Sequence, residues 1–171
     1  VVISSGGRLR EKALKDKLPC IRIPFGIQPR ASIPYMLLPL MNILKQPIPD
    51  LTKLIEALKS SKIRNKAKEL AVKLVDKVPI IYSSQRIYPV AYRWKTQFNE
   101  NANIHAFSNA FSELNHNELE GFVHLKADFH VVIIVDDEDN AKIKKRMAIT
   151  KKLVLSKGVS VTEIAITGKK L

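Results

Sequence analysis

Apolar residues in this chain alternate between short unbroken runs and stripes at helical spacing, which predicts short strands interleaved with helices. Val1 to Ser4 reads as the end of a buried strand, Ser4-Ser5-Gly6-Gly7 as a tight turn, and Arg8 to Lys17 as a helix with Leu9, Ala13 and Leu14 on one face. Cys20 to Ile23 reads as a further strand. Two prolines and a glycine make Pro24 to Arg30 a loop. A mostly apolar helix from Ser32 to Leu44 follows, kinked by its prolines and placed to pack as a connector between two modules.

After the breaker Gln46-Pro47-Ile48-Pro49, Leu51, Leu54, Ile55 and Leu58 mark one helix, and Ile63, Ala67, Leu70, Ala71, Leu74 and Val75 mark the next. Val78 to Ser83 is a strand. Pro89 suits the first turn of a helix whose buried face would be Ala91, Trp94, Phe98 and Ala102, with Glu100 near its C-terminal end. His116 to Leu119 reads as a short helix, and His130 to Val135 as a strand buried on both faces. The acidic run Asp136 to Asp139 reads as an edge, a solvated loop or a helix N-terminus, leading into a helix from about Asn140 to Lys157. Gly158 ends that helix, and Val159 to Ile166 forms the last strand, running into Thr167-Gly168.

This alternation implies an α/β fold, a parallel β-sheet flanked by helices. Ligands in such sheets bind at the carboxyl ends of the strands, so the loops after Ser4, Ser83 and Val135 are the places to look.

The composition adds limits. The 171 residues, 46% apolar and 26% charged, suit one ordinary domain or two small ones. Cys20 is the only cysteine, which excludes an internal disulfide and fits a reducing, cytoplasmic compartment. The longest apolar stretch, Ile33 to Leu44, falls short of a membrane span, and no signal-peptide pattern opens the chain, which reads as an internal piece. A formal charge of +13 raises a polyanion as partner. Most lysines, however, alternate with apolar residues as solvated helix faces do, and a small anionic substrate suits a positive field equally well.

The sequence lacks GxGxxG, GxxxxGK[ST], HExxH and GxSxG, so no nucleotide cofactor, zincin or hydrolase-elbow reading is supported. His105, His116, His124 and His130 lack a tight ligand spacing, so no metal is expected, and His130 reads as a core or rim histidine. Two segments are too polar for plain scaffold. One is the loop ending at Arg30. The other is Tyr88 to Ala102, rich in amides, followed by Leu114-Asn115-His116-Asn117-Glu118.

The turn Ser4-Ser5-Gly6-Gly7, the loop Pro24-Phe25-Gly26-Ile27-Gln28-Pro29-Arg30, the block Arg93-Trp94-Lys95-x-Gln97-Phe98-Asn99-Glu100-Asn101 and Asn115-His116-Asn117-Glu118 together resemble the bifunctional phosphoglucose/phosphomannose isomerases of the sugar isomerase (SIS) domain superfamily. The resemblance implies a three-layer αβα SIS fold, incomplete at both chain ends. Residues 1–30 would close a first SIS domain, 31–50 would be a connecting helix and linker, and 51–171 a second SIS domain lacking its last helical region. It also implies aldose-ketose isomerisation of glucose 6-phosphate or mannose 6-phosphate to fructose 6-phosphate, with no cofactor, in a homodimer whose histidine reaches the neighbouring subunit's site.

That reaction moves a proton between C1 and C2 through a cis-enediolate. It needs a carboxylate base, an acid/base for the ring oxygen and a cation near the developing charge. By resemblance, Glu100, His116 and Arg30 take those roles in that order, and a partly desolvated Glu100 at a helix end would be pushed toward neutrality. Glu118 could orient His116. Ser4 and Ser5 keep a structural reading, and Trp94 and Phe98 read as core packing. The phosphate-binding loops and the C-terminal lysine of the family fall outside the resemblance, and Lys169 and Lys170 do not match that lysine. The alternatives are a non-catalytic SIS-type phosphosugar-binding module and, further off, a basic nucleic-acid-binding protein.

Overall fold

The computed structural model of the chain describes residues 1–48 and 50–166. Pro49 of the expected breaker, and Thr167, Gly168, Lys169 and Lys170, lie outside the described residues. The chain forms two compact units, Val1–Lys59 and one beginning at Ser60. The helix expected to open the second domain therefore groups with the first unit.

In the first unit, β1 (Val2–Ser4) and β2 (Cys20–Arg22) pair in parallel and are joined by α1 (Gly7–Lys15). The Ser4 hydroxyl bonds back to its own turn, donating to the Gly6 carbonyl at 2.9 Å, and Gly7 enters α1 with φ +69, a conformation other residues adopt at a cost. Only Ala13 of the expected α1 face is buried. Leu9 and Leu14 remain 59% and 55% exposed, because two strands of three residues are too small to cover a whole helix face. Helices α2 (Ile33–Ile43) and α3 (Leu51–Lys59) follow, neither with a buried residue.

In the second unit, α4 (Ser61–Lys73) leads into β3 (Val78–Ser84), α5 (Tyr88–Gln97), β4 (Phe107–Phe111), β5 (Phe129–Asp136), α6 (Ala141–Ser156) and β6 (Ser160–Ile166). All neighbouring strands are parallel, in the order β4-β3-β5-β6. Successive side chains leave a strand on opposite faces. Ile80, Tyr82, Val131 and Ile133 accordingly join Met147 and Val154 of α6, together with Phe122, in one core. Ile81 and Ile134 join Ala91 of α5 and Ile87 in a second core on the opposite face. The result is a parallel sheet covered on both sides.

Capping fixes α6. Asn140 Oδ1 accepts from the Ile143 amide at 3.0 Å, and Gly158, at φ +79, lets the chain turn back so that the Val159 amide reaches the Val154 carbonyl at 3.3 Å. Two features of this unit depart from the sequence pattern. Strand β4, with the sequence Phe-Ser-Asn-Ala-Phe, has no counterpart among the expected elements. The helix expected over His116 to Leu119 is instead two 3-10 turns, Glu113–Asn115 and Glu118–Val123, with His116 between them. The Asn117 side chain bonds Glu113 Oε1 at 2.9 Å, a local alternative that competes with regular helix.

Candidate functional site

Glu100 sits in a π turn, Phe98–Ala102, into which α5 widens after Gln97. Such turns interrupt the ordinary helical ladder and recur at functional sites. Asn103 closes the turn in the left-handed region with φ 55, and the Asn99 amide donates to the Ile104 carbonyl at 2.9 Å, tying the turn to the approach of β4. The Gln97 amide lies within hydrogen-bonding distance of both the Arg93 guanidinium, with Nε at 2.9 Å, and the Asn101 amide, at 2.5 Å.

An open depression of about 380 Å³ lies against this turn, lined by Trp94, Gln97, Phe98, Asn101 and Ala102. Trp94 and Phe98 meet edge to face at 6.5 Å and pack against the second core while staying half-buried. Two expectations need correction. Ala102 is exposed because α-helical spacing stops at Gln97, and Glu100 is exposed rather than partly desolvated.

His116 is exposed, its backbone amide donating to the Glu113 carbonyl at 2.9 Å. The expected orienting contact with Glu118 is not made. Glu118 Oε1 instead accepts from the Asn109 amide at 3.0 Å, and the Tyr82 hydroxyl also bonds this carboxylate. Burial and the adjacent negative charge push the Tyr82 hydroxyl pKa far above the ordinary phenol range. The Asn115 amide donates to Thr150 Oγ1 on α6 at 2.8 Å.

Chain direction separates Glu100 from His116. Strand β4 pairs with β3 from Ile80 opposite Phe107 to Ser84 opposite Phe111. Glu100 precedes the first residue of β4 and His116 follows its last, so they lie at the amino and carboxyl edges of the same sheet. At about 3.3 Å per residue, β4 alone holds these edges on the order of 16 Å apart. Arg30 belongs to the first unit, half-buried in the 3-10 turn Pro29–Ala31, where Ser32 Oγ donates to the Pro29 carbonyl at 2.8 Å.

At the carboxyl edge of β3 and β5, Arg86 meets Asp136 at 2.6 Å, Glu138 at 3.3 Å and Asp139 at 3.8 Å. The acidic run is therefore solvated only in part: Asp136 and Asp139 are buried, and Asp137 and Glu138 are exposed. The Glu138 amide and the Arg86 guanidinium together hold the Asp136 carboxyl below the usual carboxylate range. Arg86, Tyr82 and Asn109 do not stand out in the sequence as site residues. For Arg86 the available signal is its place just after a buried strand. Tyr82 and Asn109 give none, because they become neighbours only when β3 and β4 pair.

Among the described residues no group of three His, Cys, Asp or Glu side chains could hold a metal ion, and no helix is long and apolar enough to cross a membrane.

The family model described as the bacterial phospho-glucose isomerase C-terminal SIS domain matches residues 63–171. A bifunctional phosphoglucose/phosphomannose isomerase from Caldicellulosiruptor bescii is 40% identical over 178 residues, covering 93% of this chain and 52% of that protein. One from Thermoplasma volcanium is 38% identical over 157 residues, covering 88% and 50%. A D-glucosamine-6-phosphate 4-epimerase from Sulfolobus acidocaldarius is 31% identical over 143 residues, covering 81% and 46%. A crystal structure of a hypothetical protein from Thermus thermophilus superposes with a TM-score of 0.73 at 16% identity, over 96% of this chain and 51% of that one, which bears on the fold alone. The chain spans about half the length of these relatives. With its parallel sheet covered on both faces and a family match over well more than half of its residues, the chain belongs to the bacterial phosphoglucose isomerase C-terminal SIS-domain family.

Proposed function

We propose that the protein is a phosphosugar isomerase converting glucose 6-phosphate or mannose 6-phosphate to fructose 6-phosphate, with this chain supplying the end of a first SIS domain and most of a second. The observation that carries the reading is identity at the level of named bifunctional isomerases along nearly the whole chain.

In this reading His116 gives a proton to the ring oxygen as the C1–O5 bond breaks and the C1 hydroxyl releases its proton to become the open-chain aldehyde. The Glu100 carboxylate then takes the C2 proton, and the C2–H bond pair forms the C1–C2 double bond of a cis-enediolate as the carbonyl pair moves onto O1. With a proton passing from O2 to O1, the C2 carbonyl forms as Glu100 returns its proton to C1. The Arg30 guanidinium, charged throughout, stabilises the oxygen that gains negative charge. The placement of Glu100 and His116 at opposite sheet edges supports a site shared across a homodimer, because one hexose phosphate is too short to touch both within one chain.

Subunit complementation tests this directly. In the full-length protein, Glu100→Gln and His116→Ala each abolish most fructose 6-phosphate formation. Unfolding, mixing and refolding the two variants together restores about a quarter of wild-type activity, because half the dimers are mixed and each mixed dimer holds one intact site. No recovery on mixing sinks the shared site. Solvent deuterium incorporated at C1 of fructose 6-phosphate marks isomerisation, whereas change at C4 of an amino sugar phosphate would favour the chemistry named for the Sulfolobus relative. Phosphosugar binding without turnover by the full-length protein would leave only a binding module.

A further inference from the structure

We propose that Glu118 is a positioning residue for the histidine loop: held between the Tyr82 hydroxyl on β3 and the Asn109 amide on β4, it fixes the backbone that presents His116 to the substrate. The proposal rests on the reading of His116 as the proton donor for ring opening.

Tyr82 and Asn109 stand directly opposite each other in the parallel register, so their side chains leave the sheet on the same face. The 3-10 turn that begins at Glu118 carries Phe122 into the core on that face. Tyr82 is buried, and with Glu118 it lines a recess beside Phe107 and Phe122, where a protein acceptor for its hydroxyl is at hand. Glu118 supplies it with a carboxylate, which makes the stronger, charge-assisted kind of hydrogen bond, and accepts a second from Asn109 at 3.0 Å. Two strands thus grip one residue of the loop.

The other end of the loop is gripped independently. The Asn115 amide donates to Thr150 Oγ1 at 2.8 Å, and Thr150 is itself buried in α6. Between these anchors, the Asn117 amide ties the loop to Glu113 at 2.9 Å. Of the four polar side chains in Asn115-His116-Asn117-Glu118, those of Asn115 and Glu118 bond inward, that of Asn117 bonds within the loop at the surface, and the imidazole is left exposed. A side chain that must meet a substrate within a few tenths of an ångström needs this support from residues that do not touch the substrate. Glu118, half-buried and engaged by two donors, is poorly placed to serve as a proton-transfer base.

The experiment uses the full-length protein and two substrates: glucose 6-phosphate, and a 4,5-dideoxy aldose 6-phosphate that cannot cyclise. Glu118→Ala and Tyr82→Phe are expected to lower kcat on glucose 6-phosphate by about ten- to a hundredfold with KM little changed, as small misplacements of a reacting group do. The non-cyclising substrate should lose far less. In a His116→Ala background neither substitution should lower the rate further, since residues acting through one group are not additive. Glu118→Gln should recover most of the rate, because its amide oxygen still accepts from Tyr82. If Glu118→Ala does not fold, Tyr82→Phe carries the test, removing a single oxygen. Equal damage by Glu118→Gln and Glu118→Ala on both substrates, or losses that multiply in the His116→Ala background, overturns the proposal. Undiminished turnover in His116→Ala alone instead defeats the role given to His116, and the positioning role falls with it.

Discussion

Glu100 and His130 show how differently two ionisable side chains are used around one sheet. Glu100 is exposed on a turn that Asn99 ties to the Ile104 carbonyl and Asn101 to the Gln97 side chain. Glu100→Gln keeps that shape but removes the carboxylate proposed as the base. In the full-length protein kcat should fall on the order of 10² to 10⁴-fold with KM little changed. Near wild-type kcat in that variant, with Glu118→Gln inactive, would move the base to Glu118. His130 is 2% exposed, and Nε2 pairs with Thr162 Oγ1 at 2.9 Å. Burial first, then Lys73 and Lys77, lower its pKa from 6.5, with Asp128 opposing them. The unfolded chain therefore takes up a proton that the native state refuses. This contribution to stability is complete above about pH 6.5 and is lost as the pH falls through the lower native value. Urea midpoints should drop between pH 7.5 and 5, and drop less in His130→Gln; an equal drop in both proteins would remove His130 from the explanation.

At the scale of elements, legibility follows how strongly local and tertiary preferences agree. The run from His130 to Val135 can only be a strand buried on both faces, and it pairs on both sides. Helix α6 carries its own start and stop in Asn140 and Gly158. Asn140→Ala should cost about 1 kcal/mol, visible as a lower denaturation midpoint with unchanged m-value. A loss near zero would mean that packing of Met147 and Val154 alone holds that end. Strand β4 is illegible for the opposite reason. It is an edge strand whose Ser108 and Asn109 look like loop residues, and only pairing with β3 makes them strand. The same holds at Ala102, where the helical stripe continues in sequence after the helix has opened into a π turn.

For the whole molecule, the chain is about half as long as the isomerases it resembles, and Glu100 and His116 stand at opposite sheet edges rather than together. Binding energy from the remote phosphate normally supports the chemical step. A purified polypeptide limited to residues 1–171 is therefore expected to make fructose 6-phosphate at a small fraction of the full-length rate; robust turnover by it would overturn the shared, multi-domain site. The sequence by itself determined the α/β class, the parallel core strands and the motif blocks containing Arg30, Glu100 and His116. These depend on residue type and short spacing, which a linear string records. Tertiary structure alone decided that Glu100 and His116 face opposite edges of one sheet, that Arg86 pairs with the buried carboxylates of Asp136 and Asp139, and that Tyr82 and Asn109 converge on Glu118. Each of these is a meeting or a separation of residues that the string does not encode, and strand register and chain direction fix it only when the sheet forms.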